Sequence, residues 1–184
     1  MFFFNENKKI QFPAHSIESA YLLILNNDLK SAQAIFESLD SPRALWGKAF
    51  VDILIGYIER MPTYFEIRNF LEIDLDFLVK NEKLDYIEQI LGSLEHLINI
   101  NQETYKYVAR VFFENKLYNV AKEYLDKSQG IFYNDPELHF LFAKYYINIR
   151  DYELASKHIE ACLSILPDYY PAKLLKEQIS KYIN

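Results

Sequence analysis

Glycine, proline and cysteine are scarce in this chain, and each shortage excludes something. With four glycines and six prolines in 184 residues, there is too little turn chemistry for an all-β protein, which needs a Gly- or Pro-marked turn every few residues. Four glycines also leave no glycine-rich phosphate loop. The single cysteine, Cys162, permits no intrachain disulfide, which suits a reducing compartment. Positive charge is in deficit too, with 20 Lys+Arg against 26 Asp+Glu, a net charge of −6 and a pI near 5.3. An acidic chain does not attract phosphate backbones or anionic lipid heads, so neither nucleic acid nor a membrane is an expected partner.

Long apolar runs are missing as well. The longest, Ala44 to Ile58, is broken by Lys48 and Asp52 and falls short of the roughly 20 residues that cross a bilayer. Met1-Phe2-Phe3-Phe4 is followed at once by Asn5-Glu6-Asn7-Lys8-Lys9, the reverse of the basic-then-apolar order of a secretory signal. The expectation is a soluble, cytoplasmic protein.

Residue clusters that carry chemistry are lacking. The four histidines, His15, His96, His139 and His158, are far apart in the sequence, and none has a second His or Cys at a recognised metal-site spacing beyond the isolated His158 and Cys162. Asp74 and Asp76 are two apart, which on a helix sends them to different faces. Cys162 falls where a small packing residue belongs, not in the electropositive, exposed setting of a reactive thiol. No catalytic residue, cofactor or metal is therefore expected, and the chain does not read as an enzyme.

What the chain has in plenty is helix-forming and core-forming material: 51% hydrophobic residues, 25% charged, 15 Tyr and 14 Phe. That is enough apolar surface to offset the entropy of ordering, and the aromatics have a packing role first. It also has a repeat. Windows 102–135 and 136–169 align without a gap, at one constant offset that carries Ala109 onto Ala143 and Ala121 onto Ala155. In each, a small residue (Ala109, Ala143) is followed by an aromatic (Phe112, Tyr146), a polar turn (Asn115-Lys116, Arg150-Asp151), another aromatic (Tyr118, Tyr152) and a second small residue (Ala121, Ala155). Leu125 or Ile159 and then Ser128 or Cys162 complete the second half. Small side chains let two antiparallel helices cross closely, and aromatics with Leu or Ile fill the space beside the crossing.

This pattern resembles tetratricopeptide (TPR) repeats, whose period of about 34 residues equals that offset. The resemblance implies an all-α fold, an α-α superhelix or TPR-like solenoid of antiparallel helix pairs with a C-terminal capping helix. The family's bulky early position is Tyr105 in one unit and His139 in the next, and Tyr133 stands where a boundary proline is usual. A third window, 68–101, matches at the turn Asn81-Glu82-Lys83-Leu84 but carries Leu75, Ile87 and Leu94 at the small positions, so a wider pair is expected there. Residues 13–46 return to the pattern through Ala20 and Ala32, with Ser41-Pro42 as a break. Segment 47–67 is out of phase: either a short helix around Pro62–Ile67 restores the alternation or the array has an irregular joint. Lys48 and Asp52 read as a four-apart helix pair worth at most a few tenths of a kcal/mol. With 170–184 as the cap, the whole of 1–184 reads as one repeat domain.

In the TPR family the first helices of successive pairs line a concave groove that takes an extended peptide or a helix. Carried over by position, that groove comprises Lys106, Arg110 and Phe113 from one unit and Phe140, Lys144 and Ile147 from the next. Three cations among apolar residues are suited to receive an acidic segment or a C-terminal carboxylate; the other reading is that they form a plain solvated helix face. Only Lys106 and Arg110 match the clamp of chaperone-binding members. The implied function is a non-catalytic scaffold or adaptor for a protein or peptide. The alternative is a small cytoplasmic chaperone of the secretion type, similarly built of TPRs. A second copy of the chain, forming a homodimer, is a further candidate partner, and the N-terminal arm 1–13 a further candidate surface.

Overall fold

The computed structural model describes residues 13, 15–57 and 60–183, so all but Pro13 of the N-terminal arm lies outside the described residues. Those residues form an all-α structure, without a strand among them, and the chain divides into two compact units, 1–62 and 63–184.

The first unit holds α1 (Ile17–Leu25), α2 (Leu29–Ser38) and α3 (Pro42–Ile55). Each begins on a side chain that accepts an otherwise unpaired backbone N–H: Ser16 in a capping box with Ser19, Asp28 from Ser31, and Ser41 from Ala44. Pro42 occupies the first turn of α3, where no N–H is needed. Ala20 and Ala32 are fully buried where α1 and α2 meet. Gly47 brings α3 against α2 so closely that a Cβ there would lie 2.5 Å from the Phe36 ring. The Lys48–Asp52 pair is present at 3.0 Å, and it is more than a four-apart helix pair: Asp52 is 2% exposed and held by Gln33 at 2.5 Å as well, which makes it an internal polar link.

The second unit begins with α4 (Tyr64–Asn69), which runs through a π-helical turn, Phe70–Asp74, into α5 (Leu75–Lys80). Thr63 and Glu66 form its capping box. Segment 47–67 thus holds the end of α3 and the start of this longer interrupted helix. Then follow α6 (Leu84–Leu97), α7 (Thr104–Glu114), α8 (Tyr118–Gln129), α9 (Pro136–Asn148), α10 (Tyr152–Ile165) and α11 (Tyr170–Ile179), closed by a 3-10 turn at Ser180–Tyr182. Successive helices pack as neighbours, most closely in the pairs α7/α8 and α9/α10 and more sparsely in α5/α6. Ala109, Ala121, Ala143, Ala155 and Cys162 are all fully buried at these contacts.

One turn conformation recurs. Asn27, Glu82, Lys116 and Arg150 have left-handed backbones, with φ between 54° and 64°. In each case the next residue's N–H reaches back five residues: Asp28 to Leu23, Lys83 to Leu78, Leu117 to Phe112 and Asp151 to Tyr146, at 2.9–3.0 Å. This is the Schellman helix end, which normally takes glycine. Here four side-chain-bearing residues fill it, and the last three are evenly spaced, by the same offset that separates Ala109 from Ala143.

Candidate functional site

The six groove candidates lie on α7 and α9, and the structure does not leave them as an open basic stripe. Lys106 is 3% exposed; its ammonium lies 2.8 Å from Glu103, 2.5 Å from Asp135 and 3.3 Å from Glu137. Arg110 is held between Glu72, in the π-helical turn, and Glu137, in the first turn of α9. Lys144 pairs with Glu114 at 2.7 Å and lies 4.7 Å above the Phe113 ring. Phe113 also packs edge-on against Tyr118. Phe140 and Ile147 turn the other way, into the C-terminal core with Cys162, Ala172 and Ile179, where Phe140 meets the Tyr169 ring edge-on.

Lys106 and Arg110 are thus brought together through Glu137, Lys144 with Phe113 through a separate contact, and Phe140 and Ile147 in the C-terminal core. The resulting network crosses three helical segments. Arg68 binds Glu72 at 3.1 Å, Glu72 binds Arg110, Arg110 binds Glu137, and Glu137 leads to Lys106. Asp135 caps α9 through one oxygen, accepting from the N–H groups of Glu137 and Leu138, and takes Lys106 on the other. Glu103 accepts from Tyr64 Oη at 2.5 Å and from Tyr107 Oη in addition to Lys106.

Electrostatics follow from this geometry. Burial opposes the charge on Glu103, but Lys106, Tyr107 and Tyr64 together hold its pKa down at about 2. For Lys106 burial is again the largest influence and works against the charge, yet Asp135 and Glu103 outweigh it and the pKa rises. Burial and the neighbouring Glu103 raise the Tyr107 pKa, keeping that phenol protonated. None of these groups is poised near neutrality for proton transfer.

Two of the histidines, apart in the sequence, come together. His139 and His158, 19 residues apart in sequence, meet across α9 and α10 with their Nδ1 atoms 3.0 Å apart. Only one proton fits between two such nitrogens, so one ring donates and the other accepts. His158 also stacks on Phe142 and Tyr146. Burial, then His139 and Lys122, lowers its pKa to about 4, and burial lowers that of His139. Cys162 is fully buried and burial pushes its thiol up to about 11, an inert setting. Among the described residues, no group of three or more His, Cys, Asp or Glu is placed to hold a metal ion. None of the described helices is long and apolar enough to cross a membrane.

An open cleft of about 320 Å³ lies beside the network, lined by Tyr64, Asn99, Ile100, Gln102, Glu103 and Phe132. The sequence reading did not single it out. Its visible trace is Ile131-Phe132-Tyr133, three apolar residues in a row between α8 and α9, all exposed. Compared with known protein families, curated proteins and solved structures, the chain matches none.

Proposed function

We propose that this chain is a TPR-like helical-repeat protein that holds another polypeptide on the face formed by α7, α9 and the helix before them, and catalyses no reaction. The observation that carries the reading is the left-handed turn that recurs once per repeat period, at Glu82, Lys116 and Arg150, the last two between helices that meet at buried alanines. Repeat proteins of this build use extended faces for recognition. α11 suits a capping role: Ala172 and Ile179 face inward, while Lys173, Lys176, Glu177 and Gln178 are exposed. The buried thiol of Cys162 agrees with a reducing, cytoplasmic setting.

Because Lys106 and Arg110 are already ion-paired, an acidic segment would have to displace Glu103, Asp135, Glu72 or Glu137 to reach them. Lys144 is likewise paired, with Glu114, so the partner is held chiefly by the shape and the apolar side chains of that face. The test is site-directed photocrosslinking in the cell, with a benzoyl-phenylalanine at Glu114 or Lys144 and, as controls, at Glu123 or Lys157 on α8 and α10. The reading expects one discrete adduct from the first two positions only. Equal adducts from all four, or none from Glu114 and Lys144, would overturn it.

A further inference from the structure

We propose that the cleft between the start of α4, the loop after α6 and the loop after α8 receives a lysine or arginine side chain of the bound polypeptide. This rests on the polypeptide-holding reading and names the chemistry of what is held. At about 320 Å³ the cleft is at the small end of ligand sites, sized for one side chain.

Of its six lining residues only Glu103 is charged. Its low pKa keeps it ionised throughout the physiological range. Lys106 does not cancel that charge, because the same buried ammonium is shared with Asp135 and Glu137. In the network as a whole, Arg68, Lys106 and Arg110 face Glu72, Glu103, Asp135 and Glu137, so carboxylates exceed cations by one. The surplus lies beside the cleft, where Glu103 is partly exposed and Lys106 is not.

The walls supply the second half of the recognition. Among the lining residues Tyr64 is 41% exposed and Phe132 40% exposed; Phe65, outside the lining, packs edge-on against Tyr64 at 5.6 Å. Ile131 and Phe132 are consecutive exposed apolar residues that mark a contact surface, while Tyr133 packs edge-on against the buried His139. Aromatic faces attract cations and pack against the aliphatic stem of Lys or Arg, while a carboxylate takes the charged head. An acidic side chain entering the same cleft meets Glu103 and is repelled.

The experiment titrates the full ¹⁵N-labelled chain with acetyl-Leu-Arg-Leu-amide and with acetyl-Leu-Glu-Leu-amide, following amide shifts. Saturable shifts are expected at Gln102, Glu103 and Phe132 with the Arg peptide, at least tenfold tighter than with the Glu peptide. Glu103→Gln and Phe132→Ala should each weaken the Arg peptide about fivefold, the factor that one charge or one cation–aromatic contact supplies. Glu103→Gln also loosens Lys106, so Phe132→Ala, on an exposed loop, is the variant that leaves the network intact. Equal shifts with both peptides, or unchanged affinity in Phe132→Ala, would overturn the proposal. No shifts at these amides, with crosslinking at Lys144 retained, would sink the cleft and leave the polypeptide-holding reading standing.

Discussion

The recurring left-handed turn can be tested by glycine substitution, and the four turns provide their own control. A residue with a Cβ pays about 1–2 kcal/mol to adopt the left-handed conformation. Glycine avoids that penalty but loses about 0.5–1 kcal/mol more backbone entropy on folding. The difference predicts that Lys116→Gly and Arg150→Gly, both at exposed positions with φ of 63° and 64°, each stabilise the second unit by roughly 0.5–1 kcal/mol. Asn27 should behave differently. Asparagine tolerates this conformation through its short polar side chain, so Asn27→Gly should change stability by only a few tenths of a kcal/mol. The assay is urea unfolding followed by far-UV circular dichroism, where a shift in midpoint at constant slope reports stability. In a chain of this size a gain of about 1 kcal/mol also raises the Tm by ~2–4 °C. Lower midpoints for Lys116→Gly and Arg150→Gly, or an equal gain at Asn27, would refute the reasoning. The first would mean that those side chains contribute more than the turn strain costs.

Gly47→Ala should destabilise the first unit by about 1–3 kcal/mol, because its Cβ would lie 2.5 Å from the Phe36 ring on a closely packed helix; thermal unfolding reads this directly. Lys106→Met should cost roughly 3–5 kcal/mol by stranding Glu103, Asp135 and Glu137 around an absent charge, and adding Asp135→Asn should recover part of it in urea titrations. The histidine pair sets a pH dependence. His158 has its folded pKa lowered from 6.5 to about 4, so the stability it confers is complete above about pH 6.5 and is lost as pH falls through 4. Since His158 is only half-buried, about 1–2 kcal/mol is expected, and the double variant His139→Leu, His158→Phe should lose this part of the acid dependence while the carboxylate part remains.

The all-α class was legible because helix-period signals are local. Ala109, Phe112, Ala121 and their counterparts one repeat further on mark faces by spacing alone, and Ser41-Pro42 and Asp135-Pro136 mark helix starts by capping chemistry. The π-helical turn at Phe70–Asp74 was not legible, since Phe-Leu-Glu-Ile-Asp contains neither glycine nor proline to flag a break. Its extra residue accompanies tertiary fit: Phe70, Leu71, Asp74 and Leu75 are all fully buried. The meeting of His139 with His158 escaped for a related reason. Nineteen residues and a turn separate them, and no local periodicity reports which two faces of neighbouring helices will touch.

The charges carry more of the repeat than equal positions show. Comparing equal positions of successive units sets Lys106 against Glu72 and Arg110 against Asp76, and leaves every cation looking free. Two of the actual partners are displaced from the repeat offset by about one helical turn, Glu72 with Arg110 at a separation of 38 and Glu114 with Lys144 at 30, whereas Arg110 with Glu137, at 27, is displaced by about two. Lys106 with Asp135, at 29, lies between these. The reason is geometric. Side chains of neighbouring helices interdigitate, so a residue lies opposite the gap between two positions of its neighbour and reaches the one a turn above or below. Once the period is known, opposite charges at that displaced spacing are the signal for a self-neutralised face. Applied to this chain, the rule removes Lys106, Arg110 and Lys144 from the free cations, and the charge that lines the cleft is the carboxylate of Glu103.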